Sequence, residues 1–451
     1  MHTEAPPAPV AEPERAGGYR EVLRNRAFLA LWLAQVLSQI ADNLLYFTLI
    51  VWVYKQTGSN AAVSALVLAF TLPALTFGLL AGVLVDRADK RQVLLLTNLG
   101  RGAIALLFVV ASSSLPSVFT LGLLTSILRQ FFMPAEAATL PRLMRPRELL
   151  AANSLFTVTY NASFIVGFAG AGPLLKLANT DAVFLVATAF FLAATALCWL
   201  LPTIGVDTHV DLPGSGVARS RLVLHELLDG WAFLRSDGET TRVMLQLAFA
   251  WSLSGITAAI APGFAATVLG LTEEDAFLLV VPAGVGVVAG SLLVGRFGAA
   301  ANRTLLIAGG LIGTGTAVVL LATYRRIFED LLMHVPAARS LEFHPGGVPG
   351  FLVAVMCFAA LLGVSNAVTV IPANTTLQEG TPDELRGRVF SVLNALGNIG
   401  STFPVLVVGV MADLIGVGRL MLLIGSIVLA IGIASLLPAM RGRSIRPSGI
   451  G

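Results

Sequence analysis

Asp42 lies in the middle of the apolar run 28–54. A charged side chain at the centre of a bilayer costs roughly 2.5–3.5 kcal/mol on insertion scales, so its retention points to use. Gln35, Gln39, Asn43 and Tyr46 fall on the same helical face and make a polar stripe with it. Such a stripe on an otherwise apolar helix is expected to line a wet cavity. The run 116–138 carries Arg129 and Glu136, seven residues apart and therefore on one face. The run 92–113 carries Arg101, about one turn after Asn98. The chemistry on offer is proton transfer. Desolvation favours a neutral carboxyl and a nearby guanidinium favours a charged one, so an arginine that moves can switch a carboxylate's proton. Two readings of Asp42 stay open: a structural carboxylate paired with Arg101 or Arg129, or one that couples proton entry to a conformational change. Glu136 is closer to the end of its run, where an interfacial carboxylate is the alternative to a coupling one.

The elements that hold these residues must be membrane helices. The chain of 451 residues is 56% hydrophobic and 12% charged, against about 25% charged in a soluble domain. Apolar runs of bilayer length recur at 28–54, 60–85, 92–113, 116–138, 152–175, 181–201, 243–268, 274–296, 303–323, 350–373, 387–411 and 417–438. The expected fold class is an all-α membrane protein with twelve transmembrane helices in two pseudo-symmetric six-helix bundles. Residues 1–27 form a polar tail, 28–201 the first bundle, 202–241 a linker, 242–440 the second bundle and 441–451 a second tail. Within the linker, Leu224, Leu227, Leu228, Trp231 and Leu234 are spaced as an amphipathic surface helix. Most Lys and Arg fall in one set of loops, which puts both termini on the cytoplasmic side of a plasma membrane, the inner membrane of a bacterium. The same bias explains the net charge of +3 with no nucleic acid as partner. The segment 324–349 is expected as an outer loop.

Several chemistries are excluded. No G-x-x-x-x-G-K-S/T loop is present, so ATP is not the motor. His2, His209, His225, His334 and His344 all lie in tail, linker or loop, so no metal site or cofactor is expected and the chain is not read as an enzyme. Cys198 and Cys357 lie in separate apolar runs and read as buried core thiols.

Two loop signatures recur. Pro146-Arg147-Glu148-Leu149 follows the fourth run and Pro382-Asp383-Glu384-Leu385 the tenth; Ala81-Gly82 is echoed by Ala289-Gly290. A parallel internal repeat follows, with a ligand site near the midplane between the halves. The stretch Gly82-Val83-Leu84-Val85-Asp86-Arg87-Ala88-Asp89-Lys90-Arg91 is a tight charged hairpin between two runs. Gly82 would admit a close helix, and the Asp86 carboxylate suits the positive end of another helix.

This hairpin resembles the G-x-L-A-D-R-x-G-R-K signature of the major facilitator superfamily. Gly82, Leu84, Asp86, Arg87, Lys90 and Arg91 match, Val85 stands for Ala and Asp89 for the second Gly. The stretch from Gln378 through Pro382 to Arg386, Arg388 and Ser391 resembles the branch that includes macrolide-efflux proteins and enterobactin-type siderophore exporters, as does Pro141 to Leu155. The resemblance implies a gating role for Gly82, Asp86, Arg87, Lys90, Arg91, Arg386 and Arg388, with the hairpin tied to the start of the eleventh run when the inside is shut. It also implies that Arg129 is the basic residue associated with proton transfer. Gly167, Gly170, Gly172 and Pro173 partly resemble the family's antiporter motif. The second half offers Gln246, Trp251, Asn366, Asn394 and Asn398 as an uncharged cavity wall. The expectation is a monomeric secondary transporter embedded in membrane lipid, exchanging protons for a small amphipathic molecule, drug-like or siderophore-like. An importer, a lipid or lysophospholipid mover of the same fold, and a non-transporting receptor or scaffold remain as alternatives.

Overall fold

A computed structural model describes residues 19–111, 114–203, 238–298, 301–334, 350–380 and 404–440. After a short leading helix, Tyr19–Arg24, the first half contains α1 Arg26–Thr57, α2 Asn60–Asp86, α3 Lys90–Ala111, α4 Leu115–Leu143, α5 Leu149–Leu177 and α6 Thr180–Trp199. The second half contains α7 Gly238–Phe264, α8 Phe277–Phe297, α9 Arg303–His334, α10 Gly350–Gly380, α11 Pro404–Ile415 and α12 Val417–Met440. Among the described residues, eleven helices are long and apolar enough to cross a bilayer, and α11 is a shorter apolar helix. The amphipathic linker stretch, Arg386, Arg388, Asn394 and Asn398 lie outside the described residues.

Local chemistry sets the helix ends. Asn25 opens α1 by accepting from Ala27 N at 3.1 Å and Phe28 N at 3.2 Å. Gly58 closes it at φ +63, a left-handed conformation that a side chain disfavours. Ser59 then caps α2 by accepting from Ala62 N at 3.1 Å. Two residues therefore turn one membrane helix into its antiparallel neighbour. α9 runs eleven residues further than its apolar pattern, so Arg325 and Arg326 sit on a helix and not in the expected outer loop. The reason is in the chain: after Gly315, no Gly or Pro interrupts it until Pro336.

The molecule turns apolar side chains outward as well as inward. Leu96, Val110, Leu177, Leu292 and Leu414 are exposed on helix faces, as lipid-facing positions are. Cys198 is buried as expected, but Cys357 is exposed, because it sits on the outer face of α10.

The two halves pack by the same scheme. α2 lies on α4, α3 on α4 and α3 on α6; correspondingly α8 lies on α10, α9 on α10 and α9 on α12. Across the halves, α5 meets α8 and α2 meets α7. One end of the bundle carries Tyr19 and the hairpin between α2 and α3. At the opposite, far end the halves are stitched by side chains. Lys55 Nζ meets Glu274 at 2.5 Å and Lys176 Nζ meets Asp275 at 2.5 Å. Asp413 at the end of α11 accepts from Ser59 Oγ at 2.6 Å, Asn60 N at 2.8 Å, Asn60 Nδ2 at 2.9 Å and Ala61 N at 3.1 Å.

Candidate coupling and binding site

The polar stripe on α1 is buried. Gln35, Gln39 and Asp42 are each under a tenth exposed, because partners from α3, α4 and α5 reach them. Arg101 Nη1 donates to Asp42 Oδ2 at 2.8 Å, its Nη2 to Asn98 Oδ1 at 2.8 Å and its Nε to Thr97 O at 3.3 Å. Asn98 Oδ1 also accepts from Ser38 Oγ at 2.7 Å. The Arg101 guanidinium lies between two rings, 4.5 Å from the centroid of Phe132 and 4.9 Å from that of Phe191. Such contacts contribute about 2 kcal/mol when desolvated. The Arg101 side chain is 0% exposed.

Arg129 holds the same carboxylate differently. Its Nε stands 3.8 Å from Asp42 Oδ2, beyond hydrogen-bond length, and its Nη2 donates to Tyr160 O–H at 3.3 Å. Its side chain is 32% exposed. One negative charge is thus shared by two positive ones, one locked in place and one with access to water. Glu136 lies about two turns further along α4, and its Oε1 is buried with no hydrogen-bond partner among the described residues.

The rest of the stripe serves packing. Gln35 Oε1 accepts from Thr159 Oγ1 at 3.1 Å. Asn43 Nδ2 donates to Gln39 O at 2.7 Å on its own helix. Tyr46 packs edge-on against Phe70 with centroids 5.3 Å apart. Asp42, Arg101 and Arg129 are therefore brought together, with Asp42 held by both arginines. Tyr160 and Thr159 escaped notice in the sequence, since one hydroxyl among the many on α5 carries no distinguishing signal.

In the second half Asn366 lines a cavity of about 140 Å³ between α5, α7, α8 and α10, with Phe164, Ser254, Thr257, Ala283 and Leu362 in its wall. Its amide points to Ala250 O and Ser254 Oγ, both at 3.4 Å. Gln246 is committed elsewhere, donating to Ser435 Oγ at 2.8 Å and so joining α7 to α12. Trp251 packs against the cluster containing Val243, Met244, Leu247 and Leu253.

At the hairpin, Lys90 is buried and donates to Asp86 O at 2.8 Å, placing its charge at the carbonyl end of α2. Arg91 Nη2 donates to Trp199 O at 2.6 Å and does the same for α6. Arg87 is exposed. No described residue comes within 4 Å of a Cβ built on Gly82. The close approach expected there would come from the start of the eleventh run, which lies outside the described residues. Among the described residues no group of His, Cys, Asp and Glu is arranged to hold a metal ion.

The sequence family described as Major Facilitator Superfamily matches residues 31–405. Macrolide efflux protein A of Streptococcus pyogenes is 24% identical over 412 residues, covering 90% of this chain and 94% of its own. Multidrug efflux pump Tap of Mycolicibacterium fortuitum is 25% identical over 441 residues, 92% of this chain and 97% of its own. The solved structure of a bacterial homolog to the human lysosomal transporter Spinster, inward-facing and unoccupied, superposes with a TM-score of 0.66 at 14% identity, over 93% of this chain and 97% of that one. An all-helical membrane bundle, a repeated packing scheme and a family match across most of the chain agree: this is a multi-pass membrane transporter, not an enzyme, and it belongs to the Major Facilitator Superfamily.

Proposed function

We propose that the protein is a proton-coupled exporter of a small amphipathic compound, working by alternating access with both termini in the cytoplasm. The observation that carries this reading is the buried Asp42 carboxylate, shared between a locked Arg101 and an Arg129 about one-third exposed. A proton on Asp42 removes its pull on Arg129 and leaves that guanidinium to Tyr160; loss of the proton draws it back. Glu136, with a carboxyl oxygen that has no described partner, is the second proton holder on the same face of α4. Asp86, Arg87, Lys90 and Arg91 hold the hairpin end shut in the opposite state. The exposure of Asn153, Thr157, Val158 and Tyr160 along the start of α5 supports a state open at the hairpin end, in keeping with the inward-facing Spinster homolog. The names of the two efflux relatives support export. The cavity beside Asn366 supports an apolar group of modest size, since a cavity of about 150 Å³ takes a benzene ring.

The test is flux in proteoliposomes with an imposed pH gradient, over a panel of amphipathic compounds. Gradient-driven flux is expected, and Asp42→Asn should abolish it while the protein still folds, with a melting temperature lowered by the Arg101 charge left without its counter-ion. Flux that ignores the gradient, or that survives Asp42→Asn, overturns coupling through this carboxylate.

A further inference from the structure

We propose that Asp413 is the positioning residue for closure of the far end: its carboxylate, laid from the second half onto the first turn of α2, is what registers the two halves there. This rests on the alternating-access reading above but not on proton coupling. The first N–H groups of any helix have no partner within it. In α2 the Asn60 and Ala61 N–H groups are taken by Asp413, and the Ala62 N–H by Ser59. Ser59 in turn donates to Asp413, and so does the Asn60 side chain. Four donors on one rigid turn thus converge on one carboxylate, at the helix end where the peptide dipoles favour negative charge.

The backbones are shaped for this meeting. Gly409 precedes Asp413 by four residues, so both lie on one face of α11. Asn60 and Ser64 are likewise four apart on α2. A Cβ on Gly409 would collide with Ser64 Oγ and the Asn60 carbonyl, and one on Gly263 of α7 with the Asn60 side chain. Two glycines of the second half therefore let the Asn60–Ser64 face seat against it, and Asp413 locks the seat.

Among the described residues the other two cross-half bonds are of a different kind. Lys55 and Lys176 end flexible four-carbon stems whose side chains are 48% and 40% exposed. A lysine can follow a retreating carboxylate by rotating its stem. The Asp413 bonds to backbone N–H groups cannot stretch in that way, so they are made in the closed geometry and broken outside it. Asp413 is itself exposed, which lets water replace its partners when the end opens and makes release reversible.

Spin labels at Val110→Cys on α3 and Ile327→Cys on α9, with Cys198 and Cys357 replaced by Ala, report the far-end separation in lipid nanodiscs at equilibrium, without substrate or pH gradient. Both label positions are exposed, at 81% and 58%. Asp413→Ala should raise the ratio of far-end-open to far-end-closed molecules at least tenfold. The Lys55→Ala, Lys176→Ala double variant should shift it far less. The Val110–Leu177 separation, inside the first half, should not move. Gly409→Leu, which keeps the carboxylate but blocks the seat, should open the far end as Asp413→Ala does. It also answers the question if Asp413→Ala folds poorly. A wild-type distance distribution in Asp413→Ala, or in Gly409→Leu where Asp413→Ala does not fold, overturns the proposal, as does equal opening by the lysine double variant. Loss of gradient dependence in the flux experiment, with the Asp413→Ala shift intact, overturns proton coupling alone.

Discussion

Two guanidiniums hold the Asp42 carboxylate by unequal bonds, and the inequality decides what each substitution does. Arg101 and Asp42 are both buried, so removing either strands the other's charge in a dry interior, at a cost of about 3–5 kcal/mol. Arg101→Leu leaves Asp42 with only the 3.8 Å contact to Arg129 and should lower the melting temperature markedly. The Asp42→Leu, Arg101→Leu pair should recover most of that loss, because a buried ion pair exchanged for well-packed apolar groups is often neutral, while gradient-driven flux stays absent. Comparing melting curves with flux across Asp42→Asn, Arg101→Leu and the Asp42→Leu, Arg101→Leu pair separates folding from coupling. Tyr160→Phe removes one hydrogen bond from Arg129, worth about 1 kcal/mol, and should alter the flux more than the melting temperature. Much of this constellation is legible in the sequence: a carboxylate and two arginines inside apolar runs stand out by cost alone. The rings of Phe132 and Phe191 around Arg101 are not, since phenylalanine is too common in membrane helices for two of them to signal a cation.

At the scale of the helix, the Gly58–Ser59 link is the most demanding connection in the first half. Gly58 sits at φ +63, where a Cβ costs roughly 1–2 kcal/mol, so Gly58→Ala should reduce stability by that amount in chemical or thermal unfolding. Ser59→Ala removes the cap from Ala62 N and one donor from Asp413, a loss of about 0.5–2 kcal/mol. Each of the twelve apolar runs overlaps a described helix, because a bilayer demands continuous apolar sequence of fixed length. Hydropathy misjudged the end of α9, where Arg325 and Arg326 ended the apolar run but not the helix. Charge marks where a helix meets water; only backbone chemistry marks where it stops.

For the whole molecule, the repeated packing scheme makes each half a unit with its own helix pairings. A chain cut within 204–237 and expressed as two fragments should therefore assemble in the membrane and transport, as co-purification and flux would report. The repeat could be read from the echoing loop signatures. The far-end bonds could not, because Lys55 and Glu274 are 219 residues apart and nothing local marks either as the other's partner. The clamped guanidinium of Arg101 has one more consequence at this scale. It places a permanent positive charge, closed off from water, beside the buried stripe, and fixed arginines of this sort turn hydronium away from membrane pores. On the proposed proton-coupled reading, the first half should then insulate as well as couple: between turnovers little of the cell's electrochemical reserve should drain through an idle carrier.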